Sequence, residues 1–190
     1  MNNPELKEEQ NPWTTLSEKI VYDNPWMQVR EYRVINPAGK ASLYGIVSAK
    51  HLAIGIIPLD AQNNTWLVGQ YRYPLKAYSW EIVEGGGKPD IDPVESARRE
   101  LKEETGLEAR HYTKIMEMHT SNCISDEKAI IYVARGISEG IASPDEDEKL
   151  KVVKLPFDEV FKMVMEGRIT DSLSVAGILK THLLLQTGTV

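Results

Sequence analysis

The chain is poor in cysteine, in long apolar segments and in basic charge, and each shortage excludes a class of protein. Cys123 is the single cysteine among 190 residues, so no internal disulfide can form and a reducing cytoplasm is the expected location. No apolar run reaches the roughly eighteen residues of a membrane span, and the polar start is not typical of a signal peptide. The formal net charge of −6 argues against binding to nucleic acid, which needs a basic surface.

The chain length predicts one domain with a small N-terminal extension, large enough to bury a core without disulfides. Residues 1–12 are polar and aperiodic, which indicates a flexible tail. Residues 13–47 contain short runs typical of antiparallel strands, separated by turn residues. Those runs lie at 19–22, 26–35 and 42–47. A sheet of that size is marginal alone, so we expect it to pack on residues 48–190 or on a second subunit.

Residues 48–190 predict strands, a helix, more strands and two final helices. The dense apolar run at 51–59 is typical of a buried central strand. The further predicted strands are 65–73, 78–83, 109–119, 128–134 and 150–155, and the predicted C-terminal helices are 156–166 and 171–185. This order favours an α+β fold in which helices flank a mixed sheet.

The stretch 85–107 predicts a glycine loop followed by a short helix. Asp92 is a good N-cap, and Pro93 suits the first helical position, where no backbone N–H is needed. Gly106 stands where a left-handed residue would end the helix. The helical period places three apolar residues on one face: Val94, Ala97 and Leu101.

Three glutamates share another face of this predicted helix: Glu100, Glu103 and Glu104. Like charges three and four residues apart repel by about 0.2–0.5 kcal/mol per pair on an isolated helix. Their accumulation therefore indicates a bound cation, and carboxylate oxygens suit Mg²⁺ or Mn²⁺. The alternative is an ordinary amphipathic helix with a solvated acidic face.

Residues 99–107, Arg-Glu-Leu-Lys-Glu-Glu-Thr-Gly-Leu, resemble the Nudix box. That pattern begins with a glycine fourteen residues before its arginine, where this chain has Gly85. It also has a central glutamate, where this chain has Ile91. The resemblance implies a Nudix α/β/α sandwich from about residue 48 onward and metal-assisted hydrolysis of a phosphoanhydride. The strands of 13–47 are similar to the N-terminal sheet of ADP-ribose pyrophosphatases, which often exchanges across a dimer, so we expect a homodimer.

The resemblance also implies the metal ligands: the carboxylates of Glu100, Glu103 and Glu104, and the backbone carbonyl of Glu84. Glycines after Glu84 would let that carbonyl turn toward the metal. Arg99 is expected to form an ion pair that orients one of the glutamates. The alternative for Arg99 is an exposed arginine on the helix surface.

Two candidates remain open for the general base that activates water. One is Glu103. The other is the acidic loop 145–148, because ADP-ribose pyrophosphatases carry a catalytic glutamate in the loop before the last strand. Alignment on that strand favours Glu148 and then Glu146. A loop can close over a substrate and open for release, but a solvated charge run is an equally good interpretation of these residues.

Four residues are candidates for binding substrate: Arg72, Trp80, Glu81 and Glu127. The resemblance places Arg72 toward the substrate phosphates and Glu81 before the glycine loop. Trp80 could stack on a base, although a tryptophan in a strand is more often a core residue. The segment 121–127 is similar to a loop of ADP-ribose pyrophosphatases that ends in Ser-Asp-Glu, which makes Glu127 a metal contact, a substrate contact or a structural partner.

These observations favour a Mg²⁺-dependent hydrolase for a small molecule that contains a nucleoside diphosphate. The expected reaction converts ADP-ribose to AMP and ribose 5-phosphate. A nucleotide-sugar pyrophosphatase of the GDP-mannose type is the alternative within the same class. A ligand-binding Nudix domain without turnover is the alternative from another class.

Overall fold

A computed structural model of the chain describes residues 9–142 and 149–190. The strands are β1 (Thr14–Asp23), β2 (Met27–Ile35), β3 (Ala41–Ala49), β4 (Leu52–Leu59), β5 (Asn64–Arg72), β6 (Ala77–Glu81), β7 (Val83–Gly87), β8 (Leu107–Glu108), β9 (His111–His119), β10 (Lys128–Arg135), β11 (Ser138–Glu139) and β12 (Lys151–Pro156). The helices are α1 (Pro93–Thr105), α2 (Phe157–Met165) and α3 (Ser172–Gln186). None of the described helices is long and apolar enough to cross a membrane.

The first three strands form an antiparallel sheet in the order β1-β2-β3. The predicted turn between β2 and β3 is present, and Asn36 organises it by accepting hydrogen bonds at its side chain from the backbone N–H groups of Ala38 and Lys40. β1 and β3 are longer than the sequence predicts. Strand β1 is exposed along its whole length.

The central sheet has the order β7-β4-β10-β9. Strands β4 and β10 are parallel, whereas β7 and β9 pair antiparallel with their neighbours, so the sheet is mixed. A second sheet has the order β12-β5-β6, and β8 pairs with β11 in a short ribbon. This arrangement confirms the predicted mixed α+β architecture with a small antiparallel sheet in front.

The core divides into two clusters because alternate residues of β4 point to opposite faces of the sheet. Ile54 and Ile56 pack with residues of α1, including Ala97 and Leu101. Ile57 and Leu59 pack in the other cluster, together with residues of α2 and α3 that include Phe157, Val160, Leu173 and Ile178. The sheet therefore lies between α1 on one side and the C-terminal helices on the other.

The predicted glycine loop is a strand. Val83–Gly87 forms β7 and pairs antiparallel with β4, with Gly85 opposite Ile54. The predicted strand 78–83 is consequently divided between two sheets at Ile82. The Ile82 N–H donates to the buried Ser174 hydroxyl of α3 over 3.0 Å instead of to a strand partner, and this bond satisfies the backbone where the chain passes from one sheet to the other.

Candidate active site

Helix α1 is capped at both ends by the residues that the sequence predicts. The Asp92 carboxylate accepts from the Val94 N–H at 3.0 Å, and Pro93 occupies the first turn. Gly106 has a φ of 72° and donates its N–H to the Lys102 carbonyl at 2.8 Å. Because the apolar face of the helix is buried in the core, its glutamates lie beside the end of β7.

Gly85 lets the Glu100 carboxylate lie directly against the backbone of β7. A Cβ atom at position 85 would stand 2.0 Å from the Glu100 Cδ atom, so the carboxylate would have to move away from its present position. Glu100 is 8% exposed and Glu104 is 5% exposed. The first glycine of the motif therefore keeps the carboxylate of a glutamate fifteen positions later in its place against β7.

Arg99 links the glycine strand to two of the glutamates. Its Nη2 atom lies 2.6 Å from Glu100 Oε1 and 2.8 Å from the Gly86 carbonyl, and its Nη1 atom lies 2.6 Å from Glu103 Oε2. Burial alone would lower the pKa of Arg99, but the charges of Glu100 and Glu103 outweigh burial and raise the pKa. The guanidinium therefore holds these two side chains and the strand in one arrangement.

A cavity of about 880 Å³ opens in front of this cluster. Its walls come from β7, α1, the start of β4, the end of β3 and the residue before β2. Six glutamates of the described chain line it: Glu84, Glu95, Glu100, Glu103, Glu104 and Glu127. Two cationic side chains line it, Lys88 and Arg99. The cavity is thus strongly acidic and large enough for a nucleotide-sized ligand.

The Glu84 carboxyl group is held at the N-terminus of α3. It accepts a 2.9 Å hydrogen bond from the Ser174 hydroxyl and is hydrogen-bonded to the Asp171 carboxyl. Burial, reinforced by Asp171, raises the pKa of Glu84 well above its ordinary value. Because the carboxyl group is bound at α3, the backbone carbonyl of Glu84 is the atom that would contact a metal.

Arg72, Trp80 and Glu81 lie outside the described walls of the cavity. Arg72 Nε lies 2.9 Å and 3.1 Å from the two carboxylate oxygens of Glu81, which is itself 3% exposed. Trp80 is half-buried, packs against the core and meets the Tyr78 ring edge-on at 5.5 Å. A substrate contact by these three residues stays a prediction.

The comparison with known proteins identifies the family. Residues 49–172 match the NUDIX domain, which is more than half of the chain. The chain belongs to the Nudix family. Residues 13–47 match the nucleoside diphosphate sugar hydrolase N-terminal domain.

Relatives of this Nudix protein include enzymes and an activator. The ADP-ribose pyrophosphatase of Mycobacterium tuberculosis is 29% identical over 184 residues, covering 91% of this chain and 84% of that protein. The methanol dehydrogenase activator of Bacillus methanolicus is 37% identical over 128 residues, covering 66% of this chain and 69% of that protein. A crystal structure of an ADP compounds hydrolase matches the fold with a TM-score of 0.84 at 21% identity, over 97% of this chain and 100% of that chain.

Nudix hydrolases generally depend on a divalent metal ion, and the donor set of this cavity suits one. Carboxylate oxygens are the ligands that hard divalent cations prefer, and Glu100, Glu103 and Glu104 bring them to one wall. Among residues 9–142 and 149–190, no three histidine, cysteine or acidic side chains converge into a ready metal site. Glu100 and Glu103 are also paired with Arg99, which fixes the position of these two carboxylates at the wall.

Glu127 lies at the cavity wall and accepts a 2.7 Å hydrogen bond from the Thr120 hydroxyl. The loop before it is attached to the N-terminal sheet, since the Val47 N–H donates to the Ile124 carbonyl at 2.9 Å and the Tyr44 hydroxyl donates to the Cys123 carbonyl at 2.6 Å. These bonds bring the small sheet to the rim of the Nudix site. Glu146 and Glu148, the predicted loop bases, lie outside the described residues.

Sequence reasoning missed Trp26, His51 and Lys88, all of which line the cavity. Trp26 is 73% exposed, and its ring centre lies 6.1 Å from that of His51. Lys88 directly follows β7. Trp26 and His51 reach the site through the pairing of β2, β3 and the loop 121–126. No sequence motif indicates that pairing, so Trp26 and His51 could not have been predicted. Lys88 could have been, because it lies close to the Nudix box in the sequence.

Proposed function

We propose that this Nudix hydrolase cleaves the pyrophosphate bond of ADP-ribose with Mg²⁺, giving AMP and ribose 5-phosphate. The observation that carries the proposal is the set of box glutamates, Glu100, Glu103 and Glu104, at the wall of a cavity of nucleotide size. Likeness to an ADP-ribose pyrophosphatase over 91% of the chain supports the choice of substrate. The single cysteine supports a reducing cytoplasm as its location.

Glu100, Glu103, Glu104 and the Glu84 carbonyl would hold the metal. When bound, Mg²⁺ neutralises charge on the non-bridging phosphate oxygens and lowers the pKa of a bound water. Arg99 keeps Glu100 and Glu103 oriented through its two 2.6 Å contacts. Glu103 is the most exposed box glutamate, with 35% of its side chain accessible, which suits it to accept the proton of the attacking water. Glu148 and Glu146 stay alternatives for that role.

Trp26 and His51 form an aromatic part of the cavity wall. An exposed indole offers a flat apolar surface on which a nucleobase can stack. The acidic α1 wall and this aromatic wall suit the two chemically different parts of a nucleoside diphosphate compound.

A homodimer is part of the proposal. Exposed apolar side chains accumulate on the N-terminal sheet: Trp13, Leu16, Ile20, Val21, Tyr22 and Leu43. Exposed apolar clusters on a soluble protein mark interaction surfaces, and a second copy of this sheet would cover them.

The decisive experiment compares Glu104→Gln with wild type on a panel of ADP-ribose, other dinucleotides and nucleotide sugars, with and without Mg²⁺. The variant should fold normally and lose Mg²⁺-dependent turnover by about a hundredfold or more, because a box carboxylate is lost. Glu108→Gln is the control, since Glu108 pairs with Lys102 at the surface and lies outside the cavity lining. Wild-type rates in the Glu104 variant would contradict the metal assignment.

A nucleotide sugar is the second candidate substrate. It is favoured by the match of residues 13–47 to the nucleoside diphosphate sugar hydrolase N-terminal domain. On the same panel, a higher kcat/KM for GDP-mannose than for ADP-ribose would favour the nucleotide sugar as the substrate. Saturable binding without any product would instead favour a ligand-binding Nudix domain.

A further inference from the structure

We propose that Lys88 binds the phosphate oxygens of the substrate and is made available for this by the isoleucine at position 91. The inference rests on the proposed function, because it concerns how the same cavity holds an anionic ligand. The described part of the cavity has a charge imbalance: besides Glu84, whose carboxyl group is engaged at α3, five glutamates and two cationic side chains line it. A diphosphate entering such a cavity needs a positive group besides the metal.

Arg99 is occupied. Its guanidinium contacts Glu100, Glu103 and the Gly86 carbonyl, so its charge is already balanced by two carboxylates of the α1 wall. Arg72, which the sequence suggested for the phosphates, is bound by both carboxylate oxygens of Glu81 and is not among the residues that line the cavity.

Among residues 9–142 and 149–190, Lys88 forms neither an ion pair nor a side-chain hydrogen bond. It is exposed and stands at the cavity immediately after the final residue of β7. A lysine on a flexible stem is a good partner for phosphate because its ammonium group donates in three directions. It is the cationic side chain of the described lining that remains available for a ligand.

Position 91 explains why Lys88 is available. Residues 88–91 form a turn closed by a hydrogen bond from the Ile91 N–H to the Lys88 carbonyl at 3.1 Å. Ile91 is 43% exposed and also lines the cavity. A glutamate there, as the Nudix pattern has, would place a carboxylate across the turn from the lysine and compete with the substrate for its charge. Isoleucine offers no such competitor.

The test compares Lys88→Met, which keeps the length but removes the charge, with Lys88→Arg and with the surface control Lys102→Met. Lys88→Met should raise the KM for ADP-ribose by about tenfold or more, with kcat changed less than about threefold, because a charge-assisted bond to the ground state is lost. Lys88→Arg should recover most of the loss. Lys102 is 60% exposed and pairs with Glu108, so its variant should match wild type.

A binding measurement separates this inference from the proposed hydrolysis. Calorimetric titration with AMP in the presence of Mg²⁺ should give a Kd about tenfold weaker for Lys88→Met than for wild type, and the difference should shrink as salt is raised. This result would support the role of Lys88 even in a preparation with no turnover. Equal Kd and equal KM in the two proteins would overturn the inference.

Ile91→Glu tests the link between the two positions. In the wild-type background it should weaken AMP binding through competition for Lys88. In the Lys88→Met background the same substitution should have a clearly smaller effect, since the competing pair no longer exists. If Ile91→Glu weakened AMP binding equally in the wild-type and Lys88→Met backgrounds, the proposed role of Ile91 would be overturned.

Discussion

At the scale of single residues, the site depends on a glycine because of what lies against it. The carboxylate of Glu100 fills the space that a side chain at position 85 would need. The adjacent Gly86 is different, since a Cβ there would meet only His51 at 3.7 Å, an ordinary contact distance. Two neighbouring glycines of one strand therefore have different tolerance for the same substitution.

Gly85→Ala should displace the Glu100 carboxylate and reduce kcat by at least about tenfold, with a smaller effect on stability, because the atoms that must move are the end of a flexible side chain. Gly86→Ala is its matched control and should keep turnover within about threefold of wild type. Steady-state kinetics and urea unfolding of both variants measure these effects. If Gly85→Ala were as active and stable as Gly86→Ala, the contact with Glu100 would not be what requires glycine.

At the scale of elements, the turn between β4 and β5 is held by one carboxylate. Asp60 accepts from the backbone N–H groups of Gln62 and Asn64 at 2.9 Å and 2.8 Å, and from Lys154 Nζ at 2.8 Å. Burial alone would raise the pKa of Asp60, but the bonds from Lys154 and Asn64 outweigh it and hold the pKa well below the ordinary value. The ionised side chain thus ties the turn between β4 and β5 to β12.

Asp60→Asn should lower the free energy of unfolding by about 1–3 kcal/mol at pH 7, because Lys154 loses its partner. A depressed pKa contributes stability above the ordinary pKa of 3.8 and loses it as the pH falls below that value. The difference between wild type and variant should therefore shrink from pH 5 to pH 3 in urea titrations. Glu139→Gln, an exposed strand residue, should change neither the stability nor its pH dependence. A difference for Asp60→Asn that is independent of pH would contradict the assignment.

At the scale of the whole molecule, the N-terminal sheet is attached to the Nudix domain through β3, while its strand β1 is exposed. Strand β3 bonds to the loop that leads to Glu127, whereas β1 has no buried residue. The sheet thus contributes Trp26 to the cavity while presenting apolar side chains to solvent, which motivates the proposed dimer.

Light scattering should give a mass of about twice 21.4 kDa for wild type, and Leu43→Glu should shift it toward the monomer by placing charge in the proposed interface. Leu183→Glu is the matched control, because Leu183 of α3 is 59% exposed and Leu43 is 62% exposed. A wild-type monomer at micromolar concentration, or equal dissociation by both variants, would contradict the dimer.

Part of this site could be predicted because it rests on local chemistry. The bond from Asp92 to Val94 spans two residues, and the αL geometry of Gly106 needs only its own backbone. Helix α1 and the shared face of its glutamates follow from these signals together with the helical period. The order of the helices and of the longer strands was equally accessible from apolar patterning, whereas β7, β8 and β11 were not predicted.

The part of the site that could not be predicted from the sequence depends on contacts between distant segments. The glycine run pairs with β4 and is a strand, although its composition predicts a loop. Arg72 is taken by Glu81 from the neighbouring strand, and Trp26 reaches the cavity because β3 bonds to a loop about eighty residues later in the chain. Strand pairing and side-chain partners of this kind are fixed by tertiary packing, which no local propensity encodes.

The family and an acidic helix suited to a divalent metal follow from the sequence, because spacing along one helix fixes which side chains share a face. The surroundings of that helix follow only from the folded chain: the glutamate against Gly85, the arginine that holds two carboxylates, the aromatic wall and the lysine without an ion pair. Each of these features depends on contacts between segments that are distant in the sequence. Steric fit and charge pairing depend on how far apart two groups lie in space, which local sequence does not specify.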